Sequence, residues 1–272
     1  MPSRKRTILM VTYTKLGKYG RLGNQMFQIA STIGIAYSNK IDYGFNDWIC
    51  NYSNINYNNF LKNPLKKTTL NNNLIQYKEV SFNYNPVVLD SKKSYDLSGY
   101  FQSEKYFNQC SNLIKEIFKL KPEHIKNLQE KYPEILKENT CSLHIRRGDY
   151  VKLQSHHPLI DLEYYYNALK LLYPKGYEDV YIFIFSDDID WCKKNLKLNN
   201  KVIFVDSNID ILDLFLMSFC NNNIIANSSF SWWGAYLNEN KEKKVIVPKK
   251  WFGEKNKHLR TEDIYCKNWI KL

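Results

Sequence analysis

Hydrophobic residues occur along the chain in short runs that alternate with amphipathic segments. The runs VYIFIF at 180–185 and KVIFV at 201–205 have the length and the β-branched or aromatic content of buried strands. Residues 7–13 show the same pattern, and a Gly-rich turn at 17–23 precedes apolar residues at near-helical spacing from about 24 to 37. This alternation predicts an α/β protein with parallel sheets of the doubly wound type.

The rest of the chain contains one region of weak periodicity and further predicted helices and strands. Residues 39–95 are rich in Asn, Tyr and Lys with little periodicity, which predicts short elements and long loops. The spacing of the motifs predicts two doubly wound domains, residues 1–135 and 136–272. The other predicted elements are helices at 104–120, 122–131, 162–173, 210–220 and 229–237 and strands at 141–145, 223–226 and 245–247.

Composition supports a folded protein with an anionic partner. Of the 272 residues, 44% are hydrophobic, which excludes a disordered chain, and the low counts of 10 Gly, 8 Pro and 6 Cys exclude a collagen-like or disulfide-scaffold protein. The formal charge of +12 favours a phosphorylated metabolite, nucleic acid or an acidic membrane surface, although solvated lysines explain it equally well. Nucleic acid is the least favoured partner because the lysines are dispersed rather than clustered among aromatic residues.

Apolar runs and cysteines indicate the compartment. No run approaches the roughly 18 apolar residues of a membrane span, and the first residues lack the pattern of a secretory signal. The six cysteines are far apart without a CxxC pair, which is typical of buried thiols in a reducing compartment. We therefore expect a cytoplasmic protein, and its basic charge is compatible with peripheral association with a membrane.

The first candidate motif is Gly17-x-x-Gly20-Arg21-x-Gly23-Asn24, between the first strand and the first helix. Glycines allow close backbone approach, and a helix N-terminus offers unpaired N–H groups to an anion. An ordinary strand-to-helix turn is the simpler explanation, and a Rossmann dehydrogenase, with Asp42 binding the ribose, is a distant alternative.

The second motif is His144-Ile145-Arg146-Arg147-Gly148-Asp149, at the end of a predicted strand. Residues 144 and 146 share one side of an extended segment, so His144 and Arg146 are expected to face one ligand, with Arg147 on the other side. A guanidinium at the carboxyl end of a strand suits a phosphate. Asp149 is expected to pair with Arg147 or to act as a base. A basic surface turn is the alternative.

Two further motifs lie downstream. Asp213, in the apolar segment ILDLFLM, either stabilises the start of a helix or accepts hydrogen bonds from a nucleobase. The segment Asn227-Ser-Ser-Phe-Ser-Trp-Trp-Gly234 offers hydroxyls and N–H groups that cap a helix or bind a diphosphate. Its paired tryptophans are typical of a core, with stacking on a sugar as the alternative. Asp188-x-Asp190 matches a low-specificity metal-binding pattern.

Four of these segments together carry a family resemblance. GRLGNQMFQIA at 20–30, HIRRGDYV at 144–151, FSDD at 185–188 and NSSFSWWGAYL at 227–237 resemble the α-1,2-fucosyltransferases, inverting enzymes of glycosyltransferase family 11. The resemblance implies a GT-B fold, with two Rossmann-like domains facing each other across a cleft. The implied donor is GDP-β-L-fucose, and no metal or other cofactor is implied.

The resemblance also implies the roles of single residues. Arg146 would bind the diphosphate and neutralise the leaving GDP, with His144 against the nucleotide, and these two are the candidate catalytic residues. Asp213 would hydrogen-bond the guanine. The N-terminal domain would bind the acceptor, and the C-terminal domain would bind GDP-fucose.

The other candidate substrate-binding residues follow from the same resemblance. Ser228, Ser229 and Phe230 would hold the phosphates, while Asn24 and Arg21 would approach the fucose from the other domain. The full set is Arg21, Gly23, Asn24, Arg147, Asp213, Ser228, Ser229 and Phe230.

The expected reaction is transfer of L-fucose to the 2-hydroxyl of a terminal β-galactoside. Two alternatives stay open at this point. One is a metal-dependent glycosyltransferase that uses Asp188 and Asp190. The other is a non-catalytic module that binds a nucleotide or a glycan.

Overall fold

A computed structural model describes residues 9–69, 73–198 and 201–272. The described residues form two compact units. Unit 1 ends at Leu120 and also includes Glu262–Ile264, and unit 2 consists of Lys121–Thr261 and Tyr265–Leu272. Each unit contains its own parallel sheet, as the alternation of strands and helices predicts.

Unit 1 is built on a four-stranded sheet in the order β2-β1-β6-β5, in which every neighbouring pair is parallel. A separate antiparallel hairpin consists of β3 and β4. The elements of unit 1 are β1 (Met10–Thr12), α1 (Leu22–Asn39), β2 (Asp42–Tyr43), β3 (Ile49–Cys50), β4 (Ile55–Asn56), β5 (Leu74–Lys78), β6 (Ser94–Ser98) and α2 (Ser111–Ile117).

The structure confirms the first helix and differs from the prediction farther along. In the described residues the first strand is limited to β1; residues 7 and 8 of its predicted span lie outside them. The predicted helix at 104–120 is confirmed only as the short α2, because two 3-10 turns, Glu104–Tyr106 and Asn108–Cys110, replace its first part. These turns pack against α1, where the Gln109 side chain donates to the Gly34 carbonyl (2.8 Å). Tertiary contacts thus override the helical pattern.

Unit 2 is built on a six-stranded parallel sheet in the order β12-β11-β10-β7-β8-β9. Its elements are α3 (Pro122–Lys131), β7 (Thr140–Ile145), α4 (Leu162–Leu172), β8 (Tyr181–Ser186), α5 (Ile189–Asn195), β9 (Lys201–Phe204), α6 (Asp210–Phe219), β10 (Asn222–Ile224), α7 (Ser229–Leu237), β11 (Val245–Val247) and β12 (Ile270–Lys271).

The division between the units comes before α3, whereas the sequence predicts a domain boundary after it, at residue 135. Helix α3 contacts α6, and the Lys131 ammonium donates to the Asp206 carbonyl (2.6 Å). Pro122 at the first helical position begins α3 where the sequence predicts it. The helix therefore belongs with unit 2 by its contacts.

The core of unit 2 explains the long apolar runs. Every residue of β7 is buried, as expected for a central strand of a parallel sheet covered on both faces. Trp232 and Trp233 are fully buried and pack on Tyr236, so the paired tryptophans are core residues. Among the described residues, every helix is too short or too polar to span a lipid bilayer.

Candidate functional site

The loops that follow β7 and β10 lie at the topological switch point of the second sheet. From β7 the chain proceeds outward through β8 to β9 and then returns to β10, on the other side of β7. In open α/β sheets, ligands bind at the carboxyl ends of the strands where this reversal occurs. The structure therefore brings together the two strongest motifs, residues 144–149 and 227–234.

Arg146 is held by two carboxylates. One of its terminal nitrogens lies 2.8 Å from Asp187, at the end of β8, and the other pairs with Asp149. The guanidinium carbon also lies 5.2 Å from the centre of the Tyr150 ring. Two carboxylates and an aromatic face fix a planar, doubly donating cation at the carboxyl edge of the sheet. Such a group is suited to binding a phosphate through two hydrogen bonds.

Arg147 has different partners from its neighbour. Its Nε donates to Asp188 (3.0 Å), and its guanidinium lies 3.6 Å above the centre of the Trp191 ring. The expected pairing of Asp149 with Arg147 is therefore wrong: Asp149 pairs with Arg146. The physical reason is the alternation of side chains after β7, which directs Arg147 toward α5.

His144 is the last residue but one of β7. It is 4% exposed, and burial together with the nearby Arg146 charge lowers its pKa to about 3, so the ring is neutral near pH 7. Its ring centre is 5.5 Å from that of Phe230, which connects the two motifs directly. Its Nδ1 is buried and has no hydrogen-bond partner among the described residues.

The loop after β10 combines capping with cross-links. The Ser228 hydroxyl accepts a hydrogen bond from the Phe230 N–H (3.3 Å), so it caps α7. The Tyr150 hydroxyl donates to the Asn227 carbonyl (3.1 Å), and the Asn227 amide donates to the carbonyls of Pro158 and Trp251. These bonds fix the N-terminus of α7, with Ser229 in its first turn, beside the loop that carries Arg146.

Asp213 lies in the first turn of α6, at the carboxyl edge of the same sheet. Burial is the largest cause that raises its pKa, to about 6, against a hydrogen bond from Ser207. Its Oδ1 is buried without a hydrogen-bond partner in the part of the chain that the structure describes. The residue before α6, Ile209, makes no side-chain cap, and Asp213 itself is a buried acceptor with unused capacity.

Asp188 and Asp190, the candidate metal ligands, interact with other groups of the protein. Asp188 caps α5 by accepting the Trp191 N–H (3.3 Å) and also binds Arg147. Asp190 is exposed and lies 3.7 Å from Lys193. Within residues 9–69, 73–198 and 201–272, no three His, Cys, Asp or Glu side chains are grouped as metal ligands.

The Gly-rich turn of unit 1 is organised by buried glutamines of α1. Gln25 donates to the Gly20 carbonyl (2.7 Å) and Gln28 donates to the Tyr19 carbonyl (2.8 Å). The Asn24 side chain accepts from Gln102 (2.6 Å), in the loop after β6. Of the other two candidates in this turn, Arg21 is exposed at the residue before α1, and Gly23 is buried in the first turn.

Sequence reasoning missed several residues that organise these edges. Asp187 was only part of a motif, yet it pairs with Arg146 and also accepts the Arg147 backbone N–H (2.9 Å). Glu79 lies in the region of weak periodicity, and burial raises its pKa to about 7 while it accepts two backbone N–H groups. The signal for Asp187 was its place in the FSDD segment after a predicted strand, whereas no predicted element preceded Glu79.

Comparison with known proteins gives a consistent result. The family model described as "Glycosyl transferase family 11" matches residues 4–272. The O-antigen biosynthesis glycosyltransferase WbnK of Escherichia coli is 37% identical over 68% of this chain and 63% of that protein. An alpha-1,2-colitosyltransferase of Escherichia coli is 34% identical over 66% and 63%. The chain thus spans less than two thirds of the length of these relatives.

More distant similarities extend the comparison. A galactoside 2-alpha-L-fucosyltransferase of Caenorhabditis elegans is 27% identical over 64% of this chain and 51% of that protein. The apo crystal structure of POFUT1 aligns with a TM-score of 0.54 and 10% identity, over 89% of this chain and 98% of that chain. At this identity the likeness concerns the fold alone. With the two parallel sheets, it confirms the predicted α/β class of the GT-B type.

Proposed function

Because this chain belongs to glycosyl transferase family 11, we propose that it transfers L-fucose from GDP-β-L-fucose to the 2-hydroxyl of a terminal β-galactoside. The transfer inverts the anomeric centre and forms an α-1,2 linkage. The galactoside 2-alpha-L-fucosyltransferase among its relatives supports this choice of donor and acceptor.

The observation that carries the proposal is the position of Arg146 at the carboxyl end of β7, next to the loop that begins α7. Sugar transfer from a nucleotide diphosphate develops negative charge on the leaving phosphate. A fixed guanidinium and the N–H groups at the start of α7 stabilise that charge without reorganisation. Asp149 is the more exposed of the two carboxylates that pair with Arg146. The diphosphate therefore displaces Asp149 from the guanidinium when it binds.

We assign the binding of the nucleotide base to Asp213. The ionised carboxylate accepts two hydrogen bonds, which matches the adjacent N–H groups of guanine. Its buried Oδ1 lacks a partner among the described residues, and a buried acceptor of this kind is stabilised when a ligand donates to it.

We propose that the reaction needs no metal ion. In metal-dependent transferases a divalent cation neutralises the diphosphate, and here Arg146 supplies the positive charge. The alternative metal ligands, Asp188 and Asp190, are paired with Arg147 and Lys193.

The direct test is incubation of the purified protein with GDP-fucose and N-acetyllactosamine or lactose, with EDTA present. Mass spectrometry and linkage analysis should detect the α-1,2-fucosylated product at the same rate with and without EDTA. Activity that EDTA abolishes and Mn²⁺ restores would favour the metal-dependent alternative. GDP binding with no product on a broad acceptor panel would favour a non-catalytic binding module.

A second candidate donor is GDP-colitose, which the 34% identical alpha-1,2-colitosyltransferase favours. Colitose is L-fucose without its 3-hydroxyl, so the two donors test whether the site binds that group. A site that hydrogen-bonds a hydroxyl rejects the deoxy analogue by about 10⁴-fold, whereas a site without such a bond accepts both. Comparison of kcat/KM for the two donors on one acceptor distinguishes these cases.

A further inference from the structure

Two tyrosines stack at the carboxyl edge of the sheet in unit 1. Tyr19 follows β1 and Tyr100 follows β6, two neighbouring strands of that sheet. Their ring centres are 4.8 Å apart at an angle of 16°, and Tyr19 is 43% exposed. The exposed part of this stacked pair leaves aromatic surface available to a ligand at the carboxyl edge of the sheet.

The segment that carries Tyr100 has a strained backbone. Gly99 has a φ of +153° and Phe101 a φ of +50°, a value that a bulky residue rarely adopts. A Cβ added to Gly99 would lie 2.3 Å from the Cβ of Glu79. Backbone strain of this kind persists only where surrounding contacts hold it.

Those contacts come from the side chains of Glu79 and Tyr13. The Glu79 carboxylate accepts the N–H groups of Tyr100 (2.7 Å) and Phe101 (2.8 Å), one with each oxygen. The Tyr13 hydroxyl donates to the Gly99 carbonyl (2.8 Å). Both peptide groups that flank the Tyr100 side chain are therefore fixed, and the ring itself is positioned by its stacking on Tyr19.

The same segment continues to the proposed donor-sugar contact. Gln102, two residues after Tyr100, donates to the Asn24 side chain (2.6 Å). Tyr19 lies in the same Gly-rich motif as Asn24, and its carbonyl accepts a hydrogen bond from Gln28. The stacked tyrosines and Asn24 thus belong to one hydrogen-bonded edge of unit 1.

We propose that Tyr19 and Tyr100 form the platform on which the sugar ring of the acceptor stacks, and that Glu79 is the positioning residue that holds it. A galactopyranose ring has one face made of C–H bonds, which packs on an aromatic face, while its rim hydroxyls stay free for hydrogen bonds. This assignment rests on the proposed function, since it specifies how that reaction binds its acceptor.

The first test compares Tyr100→Ala, Tyr19→Ala and Tyr100→Phe with Tyr37→Ala, a matched change at an exposed tyrosine of α1. The two ring-deleting variants should raise the KM for N-acetyllactosamine by about tenfold and leave the KM for GDP-fucose unchanged. Tyr100→Phe keeps the ring and should stay within about threefold of the wild type. Tyr37→Ala should match the wild type in both constants.

Glu79 is tested through its effect on Tyr100. Glu79→Gln leaves one acceptor oxygen for two N–H groups, so the acceptor KM should rise while kcat and GDP affinity change little. Glu79→Ala should raise the acceptor KM further. A purely structural role would instead lower the melting temperature and kcat without a selective effect on the acceptor KM.

Acceptor binding measured by saturation-transfer NMR separates this assignment from the proposed function. Loss of the N-acetyllactosamine signal in Tyr100→Ala and Tyr19→Ala, with GDP still bound, supports the platform. A wild-type enzyme that makes the α-1,2 product while both variants keep the wild-type acceptor KM overturns the platform alone. A wild-type protein that neither binds nor fucosylates any β-galactoside overturns both.

Discussion

At the scale of the residue, adjacent arginines have different surroundings. Arg146 is fixed by Asp149 and Asp187 at the switch point of the sheet, whereas Arg147 stacks on Trp191 and pairs with Asp188. A cation–π contact of a mostly buried guanidinium stabilises a fold by about 1–2 kcal/mol. Under the proposed function Arg146 is the arginine that binds the diphosphate, while the contacts of Arg147 are with α5 and the residue that caps it.

We expect Arg146→Ala to lower kcat by at least about tenfold, because the leaving diphosphate loses its fixed cation. The melting temperature should change little. The control is Arg147→Ala, which should lower the melting temperature through loss of the Trp191 stack. Steady-state kinetics and thermal unfolding check both, and an unchanged kcat in Arg146→Ala removes that residue from the mechanism.

If Asp213 binds the guanine as proposed, its raised pKa of about 6 makes a pH-dependent affinity for GDP the expected outcome. Only the ionised carboxylate accepts both guanine N–H groups, so affinity for GDP should fall by about tenfold between pH 7 and pH 5. Asp213→Asn should weaken binding and abolish this dependence. Calorimetric titration at several pH values measures it, and identical pH profiles for both proteins would contradict the guanine assignment.

The same group has a predictable effect on stability without ligand. Its folded pKa of about 6 lies above the ordinary value of 3.8, so burying the ionised carboxylate destabilises the fold. This destabilisation is absent below pH 3.8 and develops as the pH rises through 6. Asp213→Asn should therefore gain stability relative to the wild type across that window, which denaturant unfolding at pH 4 and pH 7 can measure.

At the scale of the element, most helices and strands of unit 2 were predictable. Helices α3 and α7 and strand β11 have the predicted bounds, because capping residues and apolar periodicity act locally. Helix α5 was not predicted, since its seven residues carry too little periodicity. The failure at 104–120 has a different cause, because packing against α1 breaks a segment that has a helical pattern.

Gly17, in the turn before α1, stands where there is no room for a side chain. Gly17 has a φ of +82°, and an added Cβ would lie 2.0 Å from the Ile49 carbonyl in β3. Gly17→Ala should lower the free energy of unfolding by about 2 kcal/mol or more, because the backbone must move in the turn or the hairpin. Lys18→Ala, at the exposed next residue, should have no effect. Equal denaturation midpoints for the two variants would contradict this account.

At the scale of the whole molecule, the cysteines behave as the sequence predicts. All six lie in the described part of the chain, none is in a disulfide, and five are buried. Burial also raises the thiol pKa of Cys110 and Cys141, to about 11 and about 12. The scattered spacing was sufficient for this prediction, since buried thiols need no partner at a defined distance.

A thiol reagent near neutral pH should therefore modify Cys266, which is half-buried, before the other five. The remaining thiols should react only when the protein unfolds, because their burial denies access to the reagent. Intact-protein mass spectrometry during labelling counts the modified thiols. Rapid labelling of several thiols in the native state would contradict the buried positions.

The sequence by itself determined the α/β class, the family and the segments that carry chemistry, because these depend on local periodicity and on residues contiguous in the chain. Only the tertiary structure decided which of these residues meet. It placed the loops of β7 and β10 together, paired Asp149 and Asp187 with Arg146, and clamped the Tyr100 segment with Glu79. Apart from the Arg146–Asp149 pair, these contacts join residues distant in sequence through strand order and burial, and neither can be read from a local pattern.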